Sequence, residues 1–139
     1  MFTRYRRARK KHETIASIVE WQETVFPDAT LSKQLEKYLD ERDEFQAATK
    51  NRDRVTELAD MFIVGCNVSR FSAYAALECF EDIAFLIRLN GISRHKFHKA
   101  IDEKMAVNKK RKWNTLGGKY QHKETEEAQN GNNRTITGQ

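Results

Sequence analysis

The sequence predicts an all-α fold, a helical bundle of four to five helices. Only one proline and six glycines occur in 139 residues, and long stretches are rich in Ala, Leu, Glu, Lys and Arg, which favour helices. No segment shows the sustained alternation of apolar and polar residues that is typical of a half-buried strand. A chain of this length forms one core, and we expect one domain.

The first two helices are indicated by apolar stripes. In "ETIASIVEWQETVF", residues 13–26, apolar side chains recur at helical spacing, and Pro27 ends the helix. Asp28 or Thr30 can cap a second helix from about residue 29 to 49. The apolar side of this helix is predicted to hold Leu31, Leu35, Tyr38, Leu39 and Phe45.

Three more helices follow the turn "TKNRD". We expect Asp53 to cap a third helix that runs to about Phe71. Ser72 then begins a fourth helix, which ends at the "NG" of residues 90–91, a common C-terminal stop. Ser93 opens a fifth helix that we expect to continue to Trp113.

The two ends of the chain differ from its centre. Residues 1–12 form a basic arm, residues 13–113 form the helical domain, and the polar residues 114–139 are expected to be largely flexible because they cannot bury enough apolar surface. A net charge of +5 suits an anionic partner. Cys66 and Cys79 stand in apolar patterns, as buried thiols of a reducing compartment do. With no segment long enough for a membrane span, we expect a cytoplasmic protein.

Two helices each carry a pair of carboxylates. Glu57 and Asp60 lie about 60° apart on the third helix, in line with its apolar stripe, and Glu41 and Glu44 have the same spacing on the second. One interpretation is that Glu57 and Asp60 are ordinary first-turn charges that interact with the helix dipole. The other is that the short connection makes the helices antiparallel, so that the two pairs face each other.

Four converging carboxylates would repel each other unless cations lie between them. Hard divalent ions such as Mg²⁺, or alternatively Mn²⁺, bind oxygen ligands alone. No Glu-x-x-His accompanies the pairs, which argues against a di-iron site. The ligand set therefore favours magnesium.

The fifth helix carries a polar face in "KMAVNKKRKW". Lys104, Asn108 and Arg111 fall within about 60° of one another and could hold a polyphosphate through a point charge, an amide and a bidentate guanidinium. A solvated basic helix end is the alternative.

Other side chains leave their roles open. Trp21, Phe26 and Tyr38 could stack on a base, but each could equally pack in the core. His95 and His98 have helical spacing without a third soft ligand, which favours a structural or solvated role over zinc binding.

These motifs together resemble the MazG-like all-α NTP pyrophosphatase superfamily, in particular its small phage and bacterial members. Glu41-x-x-Glu44, twelve residues, then Glu57-x-x-Asp60 is similar to the metal signature of the family. "KYLDE" resembles its lead-in, with Asp40 in place of the usual glutamate. The later signature is matched by Lys104, Asn108, Arg111 and Trp113, and the opening by "IVEWQETVFP". "GKYQH" resembles the closing segment of many members, and the resemblance covers roughly residues 13–122.

The resemblance implies Mg²⁺-dependent hydrolysis of a nucleoside triphosphate, usually a deoxynucleotide, between the α and β phosphates. It implies that Glu41, Glu44, Glu57 and Asp60 bind the metal and that one of them acts as the base. It also implies a homo-oligomer, either a dimer or a tetramer, that completes the bundle. The expected substrate-binding residues are Lys37, Lys104, Asn108, Arg111 and His122.

Two other functions are compatible with the sequence. The arm "TRYRRARKKH" could make this a non-catalytic nucleic-acid-binding protein with salt-sensitive affinity, although we expect nucleotide rather than nucleic acid as the partner. A dUTPase-like member of the same superfamily is the alternative within enzymes.

Overall fold

A computed structural model describes residues 11–116 and 119–122, with side chains described for residues 11–113. The bundle in this part of the chain consists of α1 (Ile15–Val25), α2 (Leu31–Ala47), α3 (Asn51–Ser69), α4 (Ala73–Leu89) and α5 (Arg94–Lys110). The predicted all-α bundle is confirmed, whereas its completion by oligomerisation stays a prediction. None of the described helices is long and apolar enough to cross a membrane.

Four of the five helices begin at a hydroxyl side chain. Each hydroxyl oxygen accepts a hydrogen bond from the backbone N–H three residues later, which satisfies one of the free donors of the first turn. The predicted caps Thr30, Ser72 and Ser93 are confirmed. Thr14 caps α1 in a capping box with Ser17.

The ends of two helices differ from the sequence prediction. The cap of α3 is Lys50, which makes no side-chain hydrogen bond, so the prediction that Asp53 caps this helix is wrong. Asp53 lies in the first turn instead, where a carboxylate still interacts favourably with the helix dipole. The last helix ends at Lys110 rather than Trp113, because Arg111 has extended backbone geometry with ψ 152°.

The helix α3 lies at the centre of the bundle and packs against each of the other four. Its Gly65 allows α4 to approach closely, since a Cβ at this position would lie 3.0 Å from Phe80 Cε1. Cys66 and Cys79 are buried free thiols, as predicted. The buried residues of α3 are Leu58, Ala59, Met61, Ile63, Val64, Gly65, Cys66, Asn67 and Val68.

A polar network fixes α2 against α4. The Tyr38 hydroxyl donates to Asp82 Oδ2 at 2.8 Å and lies 3.1 Å from the carbonyl oxygen of Cys79. Arg42 Nε and Nη2 donate to the two carboxylate oxygens of Asp82 at 2.8 and 3.2 Å. Because this bidentate pair is partly buried, it holds one face of α2 in a fixed rotation, with Glu41 adjacent to Arg42 in the sequence.

Two large apolar residues, one on α2 and one just after α3, are exposed. Leu39 on α2 is 60% exposed and Phe71 beyond the end of α3 is 41% exposed, so the prediction that Leu39 belongs to the packed side is wrong. Leu39 lies one residue beyond Tyr38, far enough around the helix to leave the packed face.

The described chain ends in a two-stranded antiparallel hairpin, which the sequence pattern did not predict. Its strands are β1 (Trp113–Leu116) and β2 (Lys119–His122), with Trp113 opposite His122, and β2 lies beside α2. The glycine pair that separates the strands in the sequence is a common hairpin signal.

Both termini extend beyond the described residues. Most of the predicted basic arm, residues 1–10, and residues 123–139 of the predicted tail lie outside this part of the chain. At the described end of the arm, His12 Nδ1 is 2.7 Å from Asp102 Oδ2 and Lys109 Nζ pairs with Glu13, so the start of the domain is attached to α5.

Candidate functional site

The carboxylates of α2 and α3 converge as the antiparallel interpretation predicts. Only residues 48–50 connect these two helices, and they pack against each other. One carboxylate oxygen from each of Glu41, Glu44 and Glu57 lies within 4.8 Å of the other two. The structure therefore brings together three of the four predicted metal ligands.

Burial and mutual repulsion shift the pKa values of these groups. Burial, with Asp60 and Glu44 nearby, raises the pKa of Glu41 to about 8. Burial, again with Asp60 and Glu44 nearby, raises the pKa of Glu57 to about 7. Oε2 of Glu41 and Oε2 of Glu57 are both buried without a hydrogen-bond partner among the described residues. Buried acceptors of this kind call for a cation or a proton.

The fourth predicted ligand, Asp60, lines the same cavity but is paired with a lysine. Lys104 Nζ lies 3.2 Å from Asp60 Oδ1, and both side chains are mostly buried. Burial raises the pKa of Asp60 overall, while the charge and hydrogen bond of Lys104 act in the opposite direction. A protein cation thus offsets one of the four negative charges at the site.

The donor set fits a hard divalent ion. The three residues of the cluster offer only carboxylate oxygens, and Glu41 and Glu57 each have one oxygen without a hydrogen-bond partner among the described residues. Oxygens bound to one Mg²⁺ at about 2.1 Å are at most about 4.2 Å apart. Small side-chain rotations would bring the three glutamates to that spacing.

A cavity of about 510 Å³ extends from this cluster, which is in the size range of small-molecule sites. Eight of the nine residues predicted to bind metal or substrate line it. The ninth, His122, ends β2, and its side chain lies outside the described residues. The predicted residues in the wall are Lys37, Glu41, Glu44, Glu57, Asp60, Lys104, Asn108 and Arg111.

The positive side of the cavity is built from α2 and α5. Lys104 and Asn108 are one turn apart on α5, and Arg111 follows the end of that helix rather than lying within it, yet still lines the cavity. Trp113 Nε1 donates to the carbonyl oxygen of Asn108 at 3.1 Å, which fixes the chain after α5. Lys37 Nζ lies 5.3 Å from the centroid of the Trp113 ring.

Three buried amides in the wall were not predicted. Gln22 of α1, Gln34 of α2 and Asn67 of α3 are each almost completely buried and line the cavity. Nothing in the sequence distinguishes these amides from exposed ones, because an amide beside an apolar stripe lies at the solvent boundary as often as it is buried. Their role becomes visible only when the helices are packed.

The other aromatic and histidine candidates separate into two groups. Trp21 and Phe26 line the cavity, whereas Tyr38 is in the core and binds Asp82. His95 and His98 are exposed on α5 and do not line the cavity.

No family model, curated protein or solved structure matches this chain. The resemblance to the MazG-like superfamily therefore rests on the residues named above and stays a hypothesis.

Proposed function

We propose that the protein is a Mg²⁺-dependent nucleoside triphosphate pyrophosphohydrolase that cleaves (d)NTP between the α and β phosphates to (d)NMP and pyrophosphate. One observation carries the proposal: a single cavity joins a cluster of carboxylates on α2 and α3 to a basic face on α2 and α5. Acidic groups that hold a divalent ion beside cations that hold phosphates are the two parts that phosphoryl transfer requires.

Glu41, Glu44, Glu57 and Asp60 are the proposed metal ligands, with Mg²⁺ as the ion and Mn²⁺ as the alternative. Bound there, the ion would polarise the phosphoryl oxygens and lower the pKa of water. Asp60 becomes available as a ligand when Lys104 turns from it to a phosphate oxygen, a change that exchanges one anionic partner of the lysine for another.

The residues of the chain would then carry out three tasks. Lys37, Lys104 and Arg111 balance the negative charge of the triphosphate, and the Asn108 amide hydrogen-bonds to it. One ionised carboxylate accepts a proton from the attacking water. The water oxygen forms a bond to phosphorus, the bridging P–O bond between the α and β phosphates breaks, and its electron pair leaves with pyrophosphate.

Self-association belongs to the same proposal. Four large apolar side chains on α4 are exposed in the monomer: Tyr74, Leu77, Phe85 and Leu89. These positions lie on one side of the helix, where the exposed residues Glu78, Glu81 and Arg88 stand among them, and large apolar side chains on a partly charged face are typical of an interface with a second copy. We propose a homo-oligomer, with α4 at its interface.

Product analysis would test the proposed reaction. The protein is incubated with each of the common NTPs and dNTPs plus Mg²⁺, and the products are separated by ion-exchange chromatography. We expect a monophosphate and pyrophosphate from at least one nucleotide, with turnover abolished by EDTA and in Glu41→Gln. Glu36→Gln is the matched control because Glu36 is an exposed carboxylate of α2 that does not line the cavity.

Two results would refute the proposal. One is the absence of turnover of every nucleotide by folded protein in Mg²⁺ and in Mn²⁺. The other is release of phosphate instead of pyrophosphate, which would place the cleavage at a different bond. Tight, salt-sensitive binding of DNA or RNA without turnover would favour the nucleic-acid alternative.

A further inference from the structure

Gln22 lines the cavity, and a hydrogen bond fixes the orientation of its side-chain amide. This residue is only 1% exposed, and its Nε2 donates to the carbonyl oxygen of Ile63 at 2.8 Å. That bond decides which end of the amide is nitrogen. Gln22 Oε1 is therefore the free end, and it has no hydrogen-bond partner among the residues that the structure describes.

An acceptor in this position cannot bind an ionised phosphate, which has no hydrogen to donate. It takes an N–H or O–H donor, either from an ordered water or from a ligand that displaces this water, since a buried acceptor without a partner destabilises the folded state. The part of the ligand that reaches Gln22 is thus chemically different from the part that Lys104 and Arg111 hold.

A second buried amide complements the first. Gln34 is 2% exposed, lines the same cavity, and its Nε2 has no partner among the described side chains and backbone. The third amide, Asn67, is already occupied because its Oδ1 accepts a hydrogen bond from Arg70 Nη1 at 2.8 Å. One free acceptor and one free donor match the edge of a nucleobase, where donors and acceptors stand side by side.

Aromatic rings stand beside these amides. Trp21 packs against Phe26 with ring centroids 5.2 Å apart, and Trp113 lies 5.1 Å from Phe26 and 6.3 Å from Trp21. All three line the cavity. A wall of aromatic rings favours a flat, unsaturated ligand over a hydrated sugar.

The amides and the carboxylates lie at different depths along the same helices. Gln34 precedes Glu44 by ten residues on α2, a rise of about 15 Å, with Lys37 between them. On the antiparallel α3 the order is the same, because Asn67 lies at the end opposite Glu57. One elongated ligand can therefore place phosphates at the carboxylate end and another group at the amide end.

We propose that Gln22 and Gln34 form a base-binding subsite that reads the hydrogen-bonding edge of a nucleobase against the Trp21, Phe26 and Trp113 wall. The proposal rests on the proposed function for the nature of the ligand as a nucleotide. It assigns the choice among bases to two amides on α1 and α2, of which Gln34 lies toward the end of α2 opposite Glu41 and Glu44.

Calorimetric titration of the full chain in Mg²⁺ would test this subsite with ligands that are not hydrolysed. The probes are the ribo- and deoxyribonucleoside 5′-monophosphates and, as the matched probe without a base, ribose 5-phosphate. We expect at least one monophosphate to bind about tenfold or more tightly than ribose 5-phosphate. In Gln22→Met that affinity falls about tenfold, while the affinity for ribose 5-phosphate changes less than about twofold.

Two further variants make the result interpretable. Gln46→Met removes an exposed amide from α2 outside the cavity and should bind like the native protein. Gln34→Met should weaken the same nucleotide as Gln22→Met does, and it decides the question if circular dichroism shows that Gln22→Met is unfolded.

The subsite is refuted if ribose 5-phosphate binds as tightly as every nucleotide, or if the folded amide variants keep full nucleotide affinity. A parallel loss of ribose 5-phosphate would show that Gln22 binds the sugar, which also refutes it. Amide-dependent binding of a monophosphate by a protein that hydrolyses no triphosphate would refute only the proposed reaction. Hydrolysis of all triphosphates without any dependence on Gln22 or Gln34 would refute only the subsite.

Discussion

Lys104 of α5 forms an ion pair with Asp60 of α3, with Nζ 3.2 Å from Oδ1. The pair connects the basic face of the cavity directly to its acidic cluster. If Lys104 also binds phosphate, as we propose, it has two competing anionic partners, and the occupant of the cavity would decide between them.

The variant Lys104→Met should separate these two roles. Without metal, Asp60 loses its partner, and we expect the free energy of unfolding to fall by about 1–3 kcal/mol. Calorimetry should show tighter Mg²⁺ binding, because Asp60 is no longer shared, together with a higher KM for the nucleotide. Lys99→Met is the matched control, since Lys99 lies 4.0 Å from Glu103 in an exposed pair and should change stability by less than about 0.5 kcal/mol. An equal fall in the free energy of unfolding in Lys104→Met and Lys99→Met would show that the pair with Asp60 contributes no more than an exposed ion pair.

Glu41→Gln should stabilise the metal-free protein. The substitution removes a buried carboxylate whose Oε2 has no hydrogen-bond partner among the described residues, and we expect the free energy of unfolding at pH 8 to rise by about 1 kcal/mol. Thermal unfolding with and without Mg²⁺ measures this: added Mg²⁺ should raise the Tm of the native protein but not of the variant. Glu36→Gln should leave both values unchanged, and a metal-dependent Tm in Glu41→Gln would show that this carboxylate is not a ligand.

Stability without metal should depend on pH through Glu41 and Glu57. Their pKa values are about 8 and about 7 in the folded protein, above the ordinary 4.5, so the folded state keeps protons that the unfolded state has released. The stability that these two groups contribute is therefore full below about pH 4.5, and it is lost as the pH rises to about 8. Urea unfolding in EDTA between pH 5 and 8.5 measures the slope, which should be smaller in Glu41→Gln.

Mg²⁺ should reverse this pH dependence. Binding requires ionised carboxylates, so its affinity should increase up to about pH 8, and protons should be released on binding. Calorimetry in two buffers of different ionisation enthalpy measures the proton release directly. A Mg²⁺ affinity that is constant from pH 6 to 8 would mean that Glu41 and Glu57 do not take part.

Arg111→Ala should affect the nucleotide and leave the metal in place. Arg111 lines the cavity on the positive side, outside the carboxylate cluster. We expect kcat/KM to fall by roughly tenfold or more, with Mg²⁺ affinity kept within about twofold, because a lost charge-assisted hydrogen bond removes about 1.5–3 kcal/mol. The neighbouring Lys112→Ala, an exposed residue outside the cavity, should retain activity. Loss of metal binding in Arg111→Ala would contradict the assignment of Arg111 to the phosphate-binding side of the cavity.

The exposed face of α4 should control the oligomeric state. Replacing Phe85 by Glu removes a large apolar side chain and adds a carboxylate beside Glu78 and Glu81, and we expect sedimentation equilibrium to show dissociation to a smaller species. Leu39→Glu is the control, because Leu39 is an equally exposed leucine on α2. A monomeric native protein would refute the interface, and dissociation by Leu39→Glu alone would move it to α2.

Local signals made most of the fold predictable. Thr30, Ser72 and Ser93 cap helices through hydrogen bonds that span three residues, so the sequence around each cap contains all the information needed. The start of α3 was misplaced because Lys50 caps it without any side-chain bond, and Asp53 is an equally good first-turn residue.

The site was predictable only where its residues repeat along one helix. Glu41 and Glu44 show their common face through their spacing, and an antiparallel partner follows from a short connection. Gln22 and Gln34 gave no such signal, because their position in the cavity wall depends on how α1 and α2 pack against the other helices. The bond from Lys104 to Asp60 likewise joins α5 to α3 and depends on tertiary packing.

The central position of α3 couples the site to the whole molecule. The same helix carries Glu57 and Asp60 and packs against the four others, so its amide hydrogens should exchange with solvent only when the entire bundle opens. A core substitution that destabilises the bundle, for example one that adds a side chain at Gly65, would then shorten the time for which the site stays folded without changing its geometry. Cellular quality control would consequently sense a defect in this protein before the loss of its chemistry becomes measurable.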